Sequence, residues 1–222
     1  MSLTTAMESA RSSLNVLSAQ TSVVSRNIAN AETPFASRKI TNTVTGVGGI
    51  GVRIASITRA ANETLFHNLL AANSDASRQS AIVDALEQLE TTIYDTEQET
   101  SPAAMIGKLQ DAIQQYSASP ADPIRAQAAV SAAENVVSTL HSAADIVNGV
   151  REQADSQIAE SVEHVNSLLS EFETVNNQII MGTRTNADIT DYLDQRDRIL
   201  NDLSEEMGIK IISRDLNDIA LF

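Results

Sequence analysis

The sequence predicts a mainly α-helical protein: a long antiparallel helical rod or coiled-coil bundle, with a small β-hairpin near residues 38–58 and the start of a β region after residue 208. Hydrophobic residues make up 42% of the 222 residues, but aromatic residues only 3%, with no tryptophan. Long helix–helix seams need fewer large rings than globular cores do. In addition, apolar residues keep helical spacing for seven heptads, and a glycine-rich segment interrupts the helical period once.

The first predicted helix carries an apolar stripe from residue 3 to residue 28. Its members alternate in steps of four and three residues, which is the a/d spacing of a coiled coil. The stripe consists of Leu3, Met7, Ala10, Leu14, Leu17, Thr21, Val24 and Ile28. A helix with one thin apolar stripe is only marginally stable alone in water. We therefore expect it to pack against a partner helix and to be largely disordered without one.

A joint is predicted at residues 27–34, where this helix ends. Pro34 disfavours the helical conformation at Thr33, so the helix is expected to end by about residue 32. The side chains of Asn27 and Asn30 can hydrogen-bond backbone groups that the helix end leaves unpaired. Taken alone, this pattern is typical of an ordinary helix end followed by a turn.

Residues 38–58 predict two short strands around a glycine-rich turn, because β-branched residues flank the segment TGVGGIG. Gly46, Gly48 and Gly51 also match the G-x-G-x-x-G pattern of dinucleotide sites. In such a site the third glycine opens a helix. Here it precedes the strand-like VRIASI, so we assign the glycines to the turn and expect no cofactor.

Four helices and a final pair of strands are predicted after the hairpin. Ser101-Pro102 and Asp122-Pro123 are helix-start signals, each with an N-cap residue followed by proline. A polar turn is expected at 181–186. The predicted elements are helices at 61–97, 102–116, 123–180 and 188–207 and strands at 209–213 and 219–222. The last helix is expected to face inward with Ile189, Leu193, Ile199 or Leu200, and Leu203.

The helix at 123–180 is the strongest indication of a rod. Unbroken, it would be about 87 Å long at 1.5 Å per residue. Its stripe consists of Val130, Ala133, Val137, Leu140, Ala144, Val147, Arg151, Ala154, Ile158, Ser161, Val165, Leu168, Phe172, Val175 and Ile179. Such a long seam is typical of coiled coils and assembly proteins rather than of enzymes.

The predicted organisation has four parts. They are a terminal coiled-coil segment with the joint at 1–37, a hairpin connector at 38–60, a helical rod domain at 61–208 and the start of a β-containing domain at 209–222. Two strands alone cannot bury their faces, so a hairpin at 209–222 indicates an incomplete domain.

Charge and composition exclude several functions. Residues 1–60 carry six basic and two acidic side chains, whereas the remainder carries nine basic and 27 acidic ones. An acidic body is unsuited to nucleic acid. The sequence contains no cysteine and no membrane-spanning apolar run, and His67, His141 and His164 are widely separated. We expect no membrane insertion, no metal site and no catalytic constellation, and therefore no enzyme.

Four segments resemble one family, that of bacterial flagellar hook-associated protein 1, over its amino-terminal portion. NIANAETP is similar to the N-x-x-N-x-x-T-P-G-[YF] signature of axial flagellar proteins, with Phe35 and Ala36 in place of its glycine and aromatic residue. GIGVRIASITRAANETL at 49–65 and DPIRAQAAVSAAENVV at 122–137 are similar to two further family segments. DYLDQRDRILNDLSEEMGIKI at 191–211 is the most specific, and its core is Asp194, Gln195, Arg196 and Asp197.

The resemblance implies a structural protein that joins hook to filament, without catalysis or cofactor. It implies export by the flagellar type III apparatus, a secreted location at the junction, and a first helix that pairs with a carboxy-terminal helix. The implied partners are a ring of identical subunits, the hook protein, the second hook-associated protein and an export chaperone for the carboxy-terminal part. Asp194, Arg196 and Asp197 are expected to form salt bridges that lock the last helix to the rod.

Two alternative functions stay open at this point. A flagellin-like or other axial flagellar protein would share the architecture, although flagellin lacks the D-Q-R-D segment. A signalling coiled coil would share the alanine-rich heptads, but it would need a membrane span or a sensory module.

Overall fold

The computed structural model describes residues 3–46, 49–90 and 100–222. The five helices in this part are α1 (Leu3–Ala29), α2 (Glu63–Leu89), α3 (Pro102–Ala118), α4 (Pro123–Thr185) and α5 (Thr190–Glu206). Its four strands are β1 (Lys39–Thr45), β2 (Val52–Arg59), β3 (Ile211–Ser213) and β4 (Ile219–Leu221). The mainly helical fold class with two small hairpins is confirmed. The last part of the predicted helix at 61–97 lies outside the described residues.

The chain divides into two compact units. One unit contains Met1–Ala76 and His164–Phe222, and the other contains Ser77–Glu163. The first unit holds α1, both hairpins, α5, the start of α2 and the carboxy-terminal part of α4. The second unit holds the remainder of α2, α3 and the amino-terminal part of α4.

Two antiparallel hairpins form where the sequence predicts strands. In the first, β1 and β2 pair from Lys39 opposite Arg59 to Thr45 opposite Val52, with a bulge between Asn42 and Thr43. Gly51 directly precedes β2 rather than a helix, so the geometry of a dinucleotide site is absent there. In the second hairpin, Ile211 lies opposite Leu221.

The apolar core of the first unit is formed by α4 and α5 with contributions from α2 and β4. Its buried members are Leu70, Leu168, Phe172, Val175, Ile179, Ile199, Leu200, Leu203 and Ile219. Ile189 and Leu193 are partly buried against this cluster. The inward face predicted for the last helix is therefore confirmed, and both Ile199 and Leu200 belong to it.

The α4 stripe is buried only in its second half. Leu168, Phe172, Val175 and Ile179 lie in the core of the first unit, and Ile179 is completely inaccessible to solvent. By contrast, every residue from 151 to 160 is exposed. In the second unit the a/d residues Val137 and Leu140 are about half exposed, whereas the neighbouring Val136 is buried. Heptad spacing defines a face, but it does not decide which length of that face is covered.

The predicted polar turn at 181–186 is wrong, because α4 continues to Thr185. Asn186 has a φ of 56° and ends the helix in the left-handed conformation. The amide of Ala187 donates to the carbonyl of Gly182 and that of Asn186 to the carbonyl of Thr183, which together make a Schellman motif. Asparagine tolerates this conformation better than most residues, so it replaces the usual glycine.

The two predicted helix starts are confirmed. The hydroxyl of Ser101 accepts a hydrogen bond from the amide of Ala104, with Pro102 at the first helical position of α3. The carboxylate of Asp122 accepts from the amide of Ile124 at the start of α4. Each side chain satisfies an amide that the first helical turn leaves unpaired.

Candidate assembly helix and its charged joint

The apolar stripe of α1 is exposed along its whole length. Leu3 and Ile28, near its two ends, keep 85% and 72% of their surface accessible, and the members between them are exposed as well. The exposed members are Leu3, Met7, Ala10, Leu14, Leu17, Thr21, Val24 and Ile28. Within the described part of the chain, no side chain covers this face.

The opposite face of α1 packs against the first hairpin. Val23 on this face is buried, and the hydroxyl of Ser12 accepts a hydrogen bond of 3.1 Å from the amide of Val52. Gly51 has a φ of 69°, and a β-carbon there would lie 2.0 Å from the hydroxyl oxygen of Ser12. Both the conformation and the close approach therefore require glycine. The prediction that this helix is largely disordered without a partner considered only its apolar stripe, and not this contact with the hairpin.

Asn27 connects α1 to β1 through its side-chain amide. Its nitrogen donates to the carbonyl of Lys39 at 2.9 Å, and its oxygen accepts from the amide of Lys39 at 2.8 Å. The side chain thus pairs with the first residue of β1 as a neighbouring strand would. In the turn itself, the amide of Thr33 donates to the carbonyl of Asn30.

Phe35 directly follows the joint and has a φ of 61°. This left-handed conformation is uncommon for residues other than glycine. Phe35 lines two cavities, of about 320 Å³ and about 270 Å³. Asn30, Thr33 and Pro34 line the first of them.

Four aspartates lie at every third position before and along the start of α5. We call Asp188, Asp191, Asp194 and Asp197 the aspartate ladder. Arg26 at the end of α1 pairs with the first two of them, with one guanidinium nitrogen 2.9 Å from Asp188 and the other 2.9 Å from Asp191. Asp188 also accepts hydrogen bonds from the amide and hydroxyl of Thr190, the first residue of α5.

The other two cations bind further along the ladder. The ammonium of Lys39 lies 3.0 Å from Asp191 and also pairs with Asp194. The guanidinium of Arg59, at the end of β2, lies 3.5 Å from Asp194 and pairs with Asp197. The Lys39 side chain is only 2% exposed, so its charge is neutralised inside the protein.

The electrostatic environment differs along the ladder. Burial would raise the pKa of Asp188 and Asp191, but hydrogen bonds, with Thr190 and Arg26 for Asp188 and with Lys39 and Arg26 for Asp191, lower both pKa values below the ordinary one. Burial would lower the pKa of Lys39, but its hydrogen bonds to the ladder raise it. At Asp197 burial dominates and raises the pKa despite the contact with Arg59.

Arg196 and Gln195 make contacts away from the ladder. One guanidinium nitrogen of Arg196 donates to the side chain of Asn176 on α4 and to the carbonyl of Asn217 in the β3–β4 connection. Gln195 donates to Glu171 on α4 at 3.1 Å. Burial lowers the pKa of Arg196 to about 10. Both residues contact the long helix, Arg196 through a hydrogen bond rather than a salt bridge. Asp194 and Asp197 pair with cations of the first hairpin.

Sequence reasoning missed five members of this network: Arg26, Lys39, Arg59, Asp188 and Asp191. A signal for them was present. Like charges three residues apart on a helix repel each other, so four aspartates at every third position indicate that cations lie nearby. The basic excess within residues 1–60 supplies those cations.

A family model described as the flagellar hook-associated protein FlgK helical domain matches residues 86–222, more than half of the chain. This chain belongs to that family. The match includes the most specific segment of the sequence, at 191–211, and agrees with the resemblance found there.

Individual relatives agree with this membership. Flagellar hook-associated protein 1 of Escherichia coli K12 is 23% identical over 172 residues, and that of Salmonella typhimurium LT2 is 24% identical over the same length. Each alignment covers 75% of this chain and 30% of the relative, so the chain spans about a third of the length of these relatives. The structure of the flagellar hook junction protein FlgK from Burkholderia pseudomallei matches with a TM-score of 0.54. That match is 24% identical and covers 70% of this chain and 27% of the other, and it supports the fold.

Among the described residues, no helix combines the length and the apolar character needed to cross a bilayer. They also contain no group of three or more His, Asp or Glu side chains suited to hold a metal ion.

Proposed function

We propose that this chain is part of a structural protein that joins the hook to the filament of a bacterial flagellum. The observation that carries the proposal is the exposed a/d stripe of α1, on a helix whose other face is occupied by the hairpin. An exposed stripe with this spacing is stabilised when another helix covers it. Membership of the FlgK helical-domain family supports this function over a signalling coiled coil.

The function involves packing and no chemical reaction. Its partners are identical subunits arranged in a ring, the hook protein and the second hook-associated protein, and an export chaperone binds the carboxy-terminal part of the protein. The protein leaves the cell by type III export and acts at the hook–filament junction. The names of the relatives support this location, since they are hook-associated and hook-junction proteins.

The joint residues have a geometric role in this proposal. Asn27 holds the end of α1 to the start of β1, and the segment from Asn30 to Pro34 turns the chain between them. The direction of α1 relative to the hairpin then depends on a few polar contacts in this turn. The stripe and the joint together form the assembly element.

A pair of charge substitutions in the stripe tests the proposal. In the full-length protein, Leu14→Glu combined with Leu17→Glu places two charges on the face that a partner helix would cover. We expect hooks without attached filaments and loss of swimming, because burying unpaired carboxylates in a helix seam is strongly unfavourable. The measurements are electron microscopy of flagella and a motility assay.

Asn15→Glu is the matched control for this experiment. Asn15 lies on the same turn of α1 and is exposed, but it is not a member of the stripe. The control strain should swim normally, and the purified double variant should keep its helical circular dichroism, because the substituted leucines contact solvent in the single chain. Normal filaments in the double variant would contradict the assembly function of α1.

A further inference from the structure

The first segment of the chain is attached to the rest of its unit mainly by charge. We call residues 3–46 and 49–59 the amino-terminal arm; it contains α1, the joint and the first hairpin. In the described part of the chain, the buried apolar cluster and the side chains packed on it lie between Phe66 and Leu221, and none belongs to the arm. The arm instead contacts α5 through the aspartate ladder.

Three widely separated points of the arm meet the ladder. Arg26 lies at the end of α1, Lys39 at the start of β1 and Arg59 at the end of β2. The backbone amide of Ser37, in the joint, adds a hydrogen bond of 3.0 Å to Asp194. The ladder therefore orients the helix, the turn and the hairpin together.

The contacts along the ladder differ in burial. The Arg26 side chain is 28% exposed, and Asp191 is 58% exposed. By contrast, the Lys39 and Asp194 side chains are 2% and 10% exposed. Salt screens exposed pairs much more than buried ones, so the Arg26 contact is the one that salt weakens directly. Loss of one partner from the buried pair leaves an uncompensated charge inside the protein.

The geometry points to a releasable arm. The aspartate ladder holds the end of α1 and the first hairpin against α5, and the arm detaches from α5 without opening the apolar core of the first unit. Release exposes the charged groups of the ladder, which water solvates well, and the Phe35 side of a cavity that Leu65 and Phe66 of α2 also line. Among the described residues, opening the core would instead expose its nine buried side chains, all of which are apolar. The four ladder aspartates repel one another when the cations leave, so the attached state depends on charge complementarity. This inference concerns the single chain and does not depend on the flagellar function.

Amide hydrogen exchange measured peptide by peptide tests the inference on the purified chain. The variants are Arg26→Gln, Asp191→Asn and Asp194→Asn. We expect exchange in the arm to accelerate by about tenfold or more for Asp194→Asn, which breaks the buried pair, and by less for Arg26→Gln. Exchange in the core segment 168–203 should change less than about twofold, because opening of the arm and of the core are separate events.

Asp202→Asn is the matched control, since it removes the same charge from α5 at a position outside the ladder. It should leave exchange in the arm unchanged. Combining Arg26→Gln with Asp191→Asn should accelerate exchange by less than the product of the two single effects, because the substitutions share the Arg26–Asp191 contact. General destabilisation would instead make the two effects multiply.

Salt provides an independent measurement on the unmodified chain. Raising the ionic strength from about 0.01 M to about 1 M shortens the Debye length from about 30 Å to about 3 Å. Exchange in the arm should accelerate, and the increase should be smaller in Arg26→Gln, which lacks the screened contact. Equal acceleration in arm and core, or no change in the arm for any ladder variant, would overturn the inference. If Asp194→Asn fails to fold, the exchange rates of the arm and of the core are compared in Arg26→Gln instead.

Discussion

Phe35 combines a large side chain with a backbone conformation that favours glycine. Its φ of 61° places it in the left-handed region, where a β-carbon costs roughly 1–2 kcal/mol. The family signature has glycine at this position, and the structure gives the physical reason: the chain must turn sharply between α1 and β1. In this protein Phe35 adopts the strained conformation and also lines the two cavities beside the joint.

Replacing Phe35 by glycine and by alanine separates the backbone from the ring. Both substitutions remove the same ring, but only glycine adopts the left-handed conformation without strain. We expect Phe35→Gly to be more stable than Phe35→Ala by about 1 kcal/mol, because glycine removes the backbone strain. The greater conformational entropy that glycine gives the unfolded chain reduces this difference. Thermal denaturation followed by circular dichroism measures the difference. Equal stabilities would show that the turn relaxes when the ring is absent.

Among the secondary-structure elements, α1 has two faces with different surroundings. One face holds the hairpin through Val23 and Ser12, and the other carries the exposed stripe. The spacing of the apolar residues along α1 predicts the stripe. The Ser and Asn residues of the other face carry no such signal, since these residues on a helix usually indicate a solvated surface. Their contacts with β1 and β2 depend on the hairpin folding back onto α1.

The long helix α4 divides into a covered and an exposed length, although its stripe has one period throughout. Ile158 and Ile179 belong to the same stripe, yet Ile158 is 61% exposed and Ile179 is completely buried. The covered length, which contains Ile179, packs against α5. The short connection at 186–189 places α5 next to this end of α4. A heptad pattern identifies the face that can pack, and the neighbouring elements decide where it does.

This pair of isoleucines allows a direct comparison. Ile179→Ala removes a buried side chain from the core and is expected to lower the free energy of unfolding by about 2–5 kcal/mol. Ile158→Ala removes an exposed side chain and should change it by no more than about 0.5 kcal/mol. Chemical denaturation of the purified chain measures both. Similar losses for the two variants would mean that Ile158 is covered in solution.

For the whole molecule, the uneven distribution of charge supports the attachment of the arm. Three of the basic side chains within residues 1–60 pair with the four acidic side chains of the aspartate ladder in the remainder of the chain. The ladder belongs to the segment most specific to the family, and its partners belong to the segment that carries the stripe. Attachment of the arm therefore uses residues from both ends of this chain.

The ladder makes stability depend on pH in a definite direction. Asp188 and Asp191 have lowered pKa values in the folded chain, so the stability they contribute is present above the ordinary aspartate pKa near 4. It is lost as the pH falls through their folded pKa values. Asp197 has a raised pKa and acts in the opposite direction. Lys39 has a raised pKa, so its contribution persists below about pH 10.5 and is lost only above that.

We therefore expect acidification from about pH 5 to below about pH 3 to lower the thermal midpoint of the arm. The measurement is thermal denaturation at several pH values, compared with Asp191→Asn. That variant lacks one of the two carboxylates with a lowered pKa, so its midpoint should fall less over the same range. A parallel fall in both proteins would place the acid sensitivity elsewhere in the chain.

Much of the fold could be predicted because its signals are local. Proline and serine or aspartate begin α3 and α4, glycine and β-branched residues form the first hairpin, and the apolar period identifies the core face of α5. The end of α4 was misplaced because Asn186 can end a helix in the left-handed conformation without glycine or proline nearby. That conformation depends on the hydrogen bonds that the amides of Asn186 and Ala187 donate to carbonyls of the last turn of α4.

The sequence by itself determined the mainly helical class, the stripe of α1 and the family, since each follows from the order of neighbouring residues. Only the tertiary structure decided that the aspartates of α5 hold the arm, since Arg26, Lys39 and Arg59 lie 135 to 165 residues away from their partners along the chain. Contacts over such distances follow from how the helices pack. Periodicity along a single helix contains no information about which distant cation lies opposite a given aspartate.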